Sequence, residues 1–376
     1  MIKIVASTDV QGFAHNATVL ASVLRRTKSS VWARIYTRGF SYPDFETGRL
    51  RAEFIRCDEE VSGKYPPHVT SAVFDRLRII RDSSDWDRAL VLDHDMLVFT
   101  DLASYFEEPF DGNLLMGRLF GPGNTIGLQM KKRGGLPEEW KHCESYPYFH
   151  MGPMMNLEAM RAEGFWEHLL EVHAAVGHDE QISLTAASGG RVKDVDKKWN
   201  LVPTWDKLAD ACQLALDSDA DHAVVSGVTW RRGIPEGLVH WTGGAKPWHH
   251  QSKVWRADLW ESELCGWEQL RAGTWRKPVS LEIHPGDIRR ACSLLKRGWK
   301  VQLHSDFSDF PGHHPATGSF GEPYPDLVHP APAEIAEVMA QADMVRFGPD
   351  TDPLPWLERA SSLPDRIVLE GPRDAR

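Results

Sequence analysis

Residues 88–99, Arg-Ala-Leu-Val-Leu-Asp-His-Asp-Met-Leu-Val-Phe, constrain this chain more than any other stretch. A short branched apolar run at 89–92 halts at charge and resumes at 96–99. The run reads as a buried strand. In extended backbone, side chains two apart share one side, so Asp93 and Asp95 present two carboxylates together at the strand's end. Such a pair repels itself unless a proton or a cation intervenes, and a hard divalent cation is the natural resolution. The alternative is a pair of solvated loop acids. Asp-x-Asp occurs six times in the chain, and the apolar runs on both sides are what single out 93–95.

The preceding residues alternate between strand and helix patterns. Residues 2–6 read as a strand ending in Ser7-Thr8-Asp9. Apolar positions 17, 19, 20, 23 and 24 predict a helix over 13–26, followed by strands at 31–37 and 54–57 and a helix over 71–81. Such alternation implies an α/β fold with a mainly parallel sheet. Ligands sit at the carboxyl ends of such strands, so Thr8-Asp9 and Asp93–Asp95 are expected to face one site. Residues 117–147 hold six glycines and Lys131-Lys132-Arg133, and read as a long mobile loop of the kind that forms lids. The glycines at 121, 123 and 127 do not have dinucleotide-binding spacing. Helical periodicity runs over 157–172. His178-Asp179-Glu180-Gln181 opens a further helix with Asp179 as its N-cap. A strand is expected at 191–195, and another at 238–241 ending in a glycine turn before Lys246.

Length and charge narrow the class. A chain of 376 residues exceeds what one core usually spans, so two domains are expected, 1–277 and 278–376. The net charge of −10 argues against a nucleic-acid protein held by phosphate contacts. Five dispersed cysteines without a Cys-x-x-Cys pair indicate neither a zinc ribbon nor a disulfide framework. The start lacks the apolar length of a signal peptide, and no stretch approaches a membrane span; a cytoplasmic protein is expected. Residues 254–275, rich in Trp and Arg, read as an amphipathic helix packed on the first domain. Their acids dilute the positive face that a membrane-surface helix needs. From 278 onward the chain carries thirteen of its 24 prolines. It still alternates: strands at 279–283, 300–304, 343–347 and 366–370, helices at 287–297, 334–341 and 356–361. This predicts a small α/β accessory domain.

Several fragments, in order, resemble the retaining nucleotide-sugar glycosyltransferases of family 8. They are Thr8-Asp9, Phe74-Asp75-Arg76-Leu77, the Trp86–Asp95 segment, residues 148–157, Asp179-Glu-Gln-Ile182, Trp199-Asn200, and His240 through Gly243 with Lys246-Pro247-Trp248. The resemblance covers residues 1–276. It implies a GT-A fold, a Rossmann-like mixed sheet. It also implies a metal-dependent hexosyltransferase that uses a UDP-sugar, as in polysaccharide biosynthesis. Asp93, Asp95 and His240 would be the metal ligands. A mixed oxygen and nitrogen donor set favours Mn²⁺ over Mg²⁺, and Lys246 adds a point charge for the diphosphate. By the resemblance, Thr8 and Asp9 would meet uracil and ribose, Phe13 the base, His94 the ribose, and Arg76 the diphosphate or sugar hydroxyls. His150 stands where the family usually has Asn, near the donor sugar. Glu180 would lie by the anomeric carbon, as nucleophile or charge stabiliser, and Asp179 would bond donor hydroxyls. If Gln181 aligns instead, the roles shift by one residue. The acceptor would be a glycan or a lipid-linked sugar, the latter bringing peripheral contact with the inner face of the membrane. The alternative reading is a catalytically weak carbohydrate-binding or scaffold protein with a degenerate nucleotide-sugar site.

Overall fold

The structure is a computed structural model that describes residues 1–61, 71–121, 123–131, 134–150, 152–177, 180–218, 222–231, 233–243, 246–249, 254–273 and 275, with seven strands beyond them. Contacts divide the chain into two compact units. The first comprises 1–255 and 266–275, and the second 256–265 and 276–376.

The first unit is built on a mixed sheet. Its strands are β1 (Ile2–Thr8), β2 (Val31–Arg38), β3 (Phe45–Thr47), β4 (Leu50–Cys57) and β5 (Arg88–Val91). Outside it lies β6 (Met96–Val98); β7 (Leu115–Gly117), β8 (Met154–Asn156) and β9 (Val192–Asp194) return to it. The order is β3-β4-β2-β1-β5-β8-β7-β9. β1 runs parallel to β2 and to β5, with Val5 opposite Val91, while β8 runs antiparallel to β5. Thr8-Asp9 and Asp93–Asp95 therefore emerge at the same edge. The first strand is two residues longer than its apolar run predicts, because Ser7 and Thr8 pair with Tyr36 and Thr37.

Helix Phe13–Arg26 lies where its apolar periodicity predicts, with residues 16–24 buried and Arg25 and Arg26 complementing the negative end of its dipole. The helix expected over 71–81 is broken. Ala72–Asp75 and Ile79–Asp82 flank a 3₁₀ turn, Arg76–Arg78. Asp75, fully buried, accepts from Arg38 Nη2 at 2.6 Å and Nε at 2.8 Å, and from Arg78 Nε at 3.2 Å. This knot pins the turn that carries Arg76.

Among the described residues, 117–147 are not one long structureless loop. They hold helix Ile126–Lys131 and a 3₁₀ helix, Glu138–Ser145, whose Ile126, Met130 and Cys143 join the core with Leu136. One of the glycines serves close packing: a Cβ at Gly127 would stand 2.9 Å from the Glu144 carbonyl oxygen. The single helix expected within 254–275 is also corrected. Ala257–Glu263 and Trp267–Arg271 are separate helices, broken before Gly266. The sequence reading passed over helix Leu208–Asp217 and the small sheet of β10 (His222–Val225), β11 (Val228–Arg231) and β12 (Ile234–Pro235).

β13 (Leu238–His240) pairs antiparallel with β6. The second unit contains β14 (Val279–Ile283), β15 (Lys300–His304), β16 (His313–His314), β17 (Gly318–Ser319), β18 (Leu327–Val328), β19 (Met344–Phe347) and β20 (Ile367–Leu369). Five of them form a parallel sheet ordered β18-β15-β14-β19-β20. The helices expected at 287–297, 334–341 and 356–361 lie outside the described residues. Among the described residues no helix is long and apolar enough to cross a membrane.

Removing one partner from a buried ion pair strands the other charge. Asp75→Ala leaves Arg38 and Arg78 without their shared acceptor and is expected to lower stability by about 3 kcal/mol. Urea unfolding of the two proteins measures the difference.

Candidate active site

The site is assembled by two short strands. Asp95 directly precedes β6 and His240 ends β13, and the pairing sets His240 opposite Met96. Trp241 N donates to the Asp95 carbonyl at 3.1 Å. Residues 145 positions apart thus meet through three strand pairs and one further backbone bond. His240 Nε2 lies 3.3 Å from Asp95 Oδ1 and 3.6 Å from Asp93 Oδ2. One ligand atom from each of the three residues falls within 4.8 Å of the others.

The imidazole is oriented from behind. His240 Nδ1 lies 3.2 Å from Asn200 Oδ1. An amide oxygen only accepts, so Nδ1 carries the proton and Nε2 is turned to the carboxylates. Asn200 is positioned by its own strand neighbour: Leu201 bridges to Val239, and His240 N donates to the Leu201 carbonyl at 2.8 Å. Gly152 makes room for this arrangement. Its φ of +106° favours glycine, and a Cβ there would stand 2.9 Å from Met96 Cε and 3.3 Å from Asn200 Nδ2.

Cations surround the carboxylates. Lys246 Nζ donates to Asp95 Oδ2 and, at 3.0 Å, to the Trp241 carbonyl. Arg76, almost wholly buried, donates through Nη1 to Asp93 and through Nη2 to Glu180 Oε1 at 2.6 Å. Its Nε has no hydrogen-bond partner. Burial alone would raise the Asp95 carboxyl, yet the His240 ring and the Lys246 ammonium hold it well below the usual carboxylate range. Two carboxylates and an imidazole nitrogen, converging within 4.8 Å of one another, fit a divalent cation.

Glu180 and Gln181 point to different partners. Glu180 joins the cluster through Arg76. Gln181 donates from Nε2 to the Phe149 carbonyl at 2.7 Å and accepts from the Tyr148 hydroxyl at 3.1 Å. Asp179 lies outside the described residues. At the end of β1, Asp9 Oδ1 accepts from the backbone N–H groups of Gln11 and Gly12, each at 3.0 Å. A Cβ at Gly12 would stand 2.9 Å from the Thr8 hydroxyl and 3.4 Å from His94 Nδ1, so Thr8 and His94 border the same turn. His15 stacks on Trp248 at 3.8 Å, and His94 lies 5.7 Å from that indole.

Two expected site residues are engaged in packing. Phe13 packs among Phe40, Tyr42, Phe54 and Trp267, stacked on the last at 5.0 Å. His150 is buried face to face with Phe120 at 3.5 Å. Burial, then the charges of Arg118 and His240, push its pKa down to about 3. Asn200 and Arg118 carried no assigned role in the sequence. The adjacency of Trp199-Asn200 was the available signal for Asn200.

Outer partners of ligating histidines typically contribute 10- to 100-fold in metal affinity. Asn200→Ala is therefore expected to weaken Mn²⁺ binding by about 30-fold in calorimetry. A neutral buried His150 contributes stability that is full above about pH 6.5, its unfolded pKa, and is lost as pH falls toward about 3. Urea unfolding between pH 7 and 5 should show a shallower loss for His150→Gln than for the wild type.

A family model described as glycosyl transferase family 8 matches residues 40–252, more than half of the chain. Similar solved structures include an active-site mutant of LgtC, at 19% identity and TM-score 0.51, covering 72% of this chain and 99% of that one. The apo structure of the bifunctional glycosyltransferase WbbM matches at 16% identity and TM-score 0.51, covering 73% of this chain and 51% of that one. No curated protein sequence matches. The likeness to solved structures establishes the GT-A fold. With the family match over residues 40–252, which include Asp93, Asp95 and His240, it follows that this chain belongs to glycosyl transferase family 8 and is a glycosyltransferase.

Proposed function

We propose that the protein is a divalent-metal-dependent retaining glycosyltransferase that moves a hexose from a UDP-sugar to a hydroxyl of a glycan or lipid-linked acceptor. The observation that carries this reading is the convergence of Asp93, Asp95 and His240 at the carboxyl edge of the sheet. Mn²⁺, or Mg²⁺, would be held by these three residues. When bound, it offsets negative charge on the departing nucleoside diphosphate.

The protein's own groups divide the remaining work. Lys246, anchored beside Asp95, offers a flexible ammonium to a phosphate oxygen. Thr8 and Asp9, at the end of β1, and His94 border the nucleoside, and Phe13 supports that corner from the aromatic cluster. Arg76 orients the Glu180 carboxylate. A fixed carboxylate near the anomeric carbon favours an oxocarbenium-like transition state. Glu180 suits this role better than Gln181, whose amide is occupied by Phe149 and Tyr148. Asp179 is assigned to donor hydroxyls, and His150 to the wall beside the donor sugar. We place the transfer chemistry in 1–277 and an accessory role in 278–376. The reading places its action in the cytoplasm, in polysaccharide assembly, at the inner face of the membrane for a lipid-linked acceptor.

Purified protein with Mn²⁺, a panel of UDP-hexoses and candidate glycan acceptors should release UDP as the hexose passes to an acceptor hydroxyl. Asp95→Ala should lower that rate by about 100-fold or more and abolish Mn²⁺-dependent UDP binding in calorimetry. Absence of UDP binding by the wild type would favour the scaffold reading.

A further inference from the structure

Most of the large apolar side chains that reach solvent among the described residues are aliphatic; Trp205 is aromatic and 54% exposed. Scattered exposed aliphatics are ordinary. An indole face held open on a fixed frame is not.

The frame is well defined. Phe120 and His150 stack face to face, and both meet Trp205 at 72°, with ring centroids 4.3 and 5.1 Å away. The backbone of Trp205 is locked in a turn. Its N–H donates to the Val202 carbonyl at 3.1 Å, and Asp206 N donates to the same oxygen at 2.9 Å. Asp206 in turn accepts from Val202 N at 2.7 Å. Arg118 grips the Asp206 carboxylate with two bonds of 2.6 Å and donates to the Asn200 carbonyl at 2.6 Å. Asn200 is the residue that orients His240. One guanidinium therefore fixes the indole, five residues after Asn200, relative to the residue that orients the metal-ligating histidine.

A large, flat, apolar surface that loses little rotamer freedom on binding is suited to stacking against the C–H face of a pyranose ring. We propose that Trp205 is the acceptor-specificity residue: its exposed indole face stacks on the ring of a hexopyranoside acceptor beside the transfer site. This rests on the glycosyltransferase reading above and restricts the acceptor to a pyranose ring, rather than a peptide hydroxyl or a bare lipid alcohol. His150 and Phe120 act as buttresses, and the neutral state of the His150 ring keeps that wall apolar.

Methyl hexopyranosides, the gluco and galacto forms in both anomers, serve as probes in saturation-transfer NMR with protein, Mn²⁺ and UDP. The expected result is transfer to the ring C–H protons of at least one probe. Trp205→Ala should lose that signal, and Trp205→Phe should retain part of it. Where a UDP-hexose is turned over, the Trp205→Ala acceptor KM should rise about tenfold or more, with the UDP-sugar KM within twofold. Mn²⁺-dependent UDP affinity within twofold of wild type reports that the variant is folded. If UDP binds but no hexopyranoside shows transfer, or if Trp205→Ala keeps the signal, the assignment is overturned. If the wild type binds no UDP, the glycosyltransferase reading itself fails, and saturation transfer in the absence of UDP still decides whether Trp205 holds a sugar.

Discussion

The pairing of β6 with β13 joins three residues after Asp95 to the three that end in His240, and the site depends on its register. Side chains alternate along a strand, so a slip of one residue would turn His240 away from the aspartates. The register is guarded from both sides. Trp241 bonds back to the Asp95 carbonyl, and Leu201 bonds into β13 from the other edge. Val98 N, at the far end of β6, donates to the Ser22 hydroxyl of the first helix at 3.1 Å. The pair is thereby keyed to the helix that covers the parallel sheet.

Around this pair, charge is balanced in a chain. Glu180 meets Arg76, Arg76 meets Asp93, Asp93 and Asp95 face His240, and Asp95 meets Lys246. Each carboxylate has a fixed cationic neighbour, which offsets part of the cost of burying its charge. The chain crosses four separated parts of the sequence. Its stiffness comes from outside the site: Asp75 clamps the turn bearing Arg76. On the far side, His173 Nδ1 lies 2.8 Å from the Ser183 hydroxyl on the helix bearing Glu180.

Much of this was legible in the sequence. An apolar run ending in Asp93 and Asp95 reads as a strand end whatever surrounds it, and the alternation before it gave the parallel core. His240 could be matched through the ordered family motifs, since Thr-Gly-Gly-x-Lys-Pro-Trp follows it. Asn200 was less visible, because its function is to hold a proton on another residue's ring. In 117–147 the glycines suggest looseness that the packing does not bear out. At Gly127 glycine allows close contact, and the apolar residues that fix the segment are spaced too irregularly to show a period. Phe13 was assigned by position, whereas its surroundings, four rings from distant segments, are set by tertiary packing alone. The 254–275 stretch reads as one amphipathic helix from its Trp and Arg content, which does not register the break at Gly266.

That break alters how the polypeptide is threaded. Residues 256–265 group with the later unit, and 266–275 return to the earlier one. The backbone therefore passes between the two units three times, not once. No single cut separates them. A fragment ending near residue 277 would retain helix Ala257–Glu263 without the unit to which it belongs, whereas one ending at 255 would lose Trp267, which stacks on Phe13 and donates to its carbonyl at 2.8 Å. The two units are interlaced in sequence, so their boundaries for dissection are topological rather than positional.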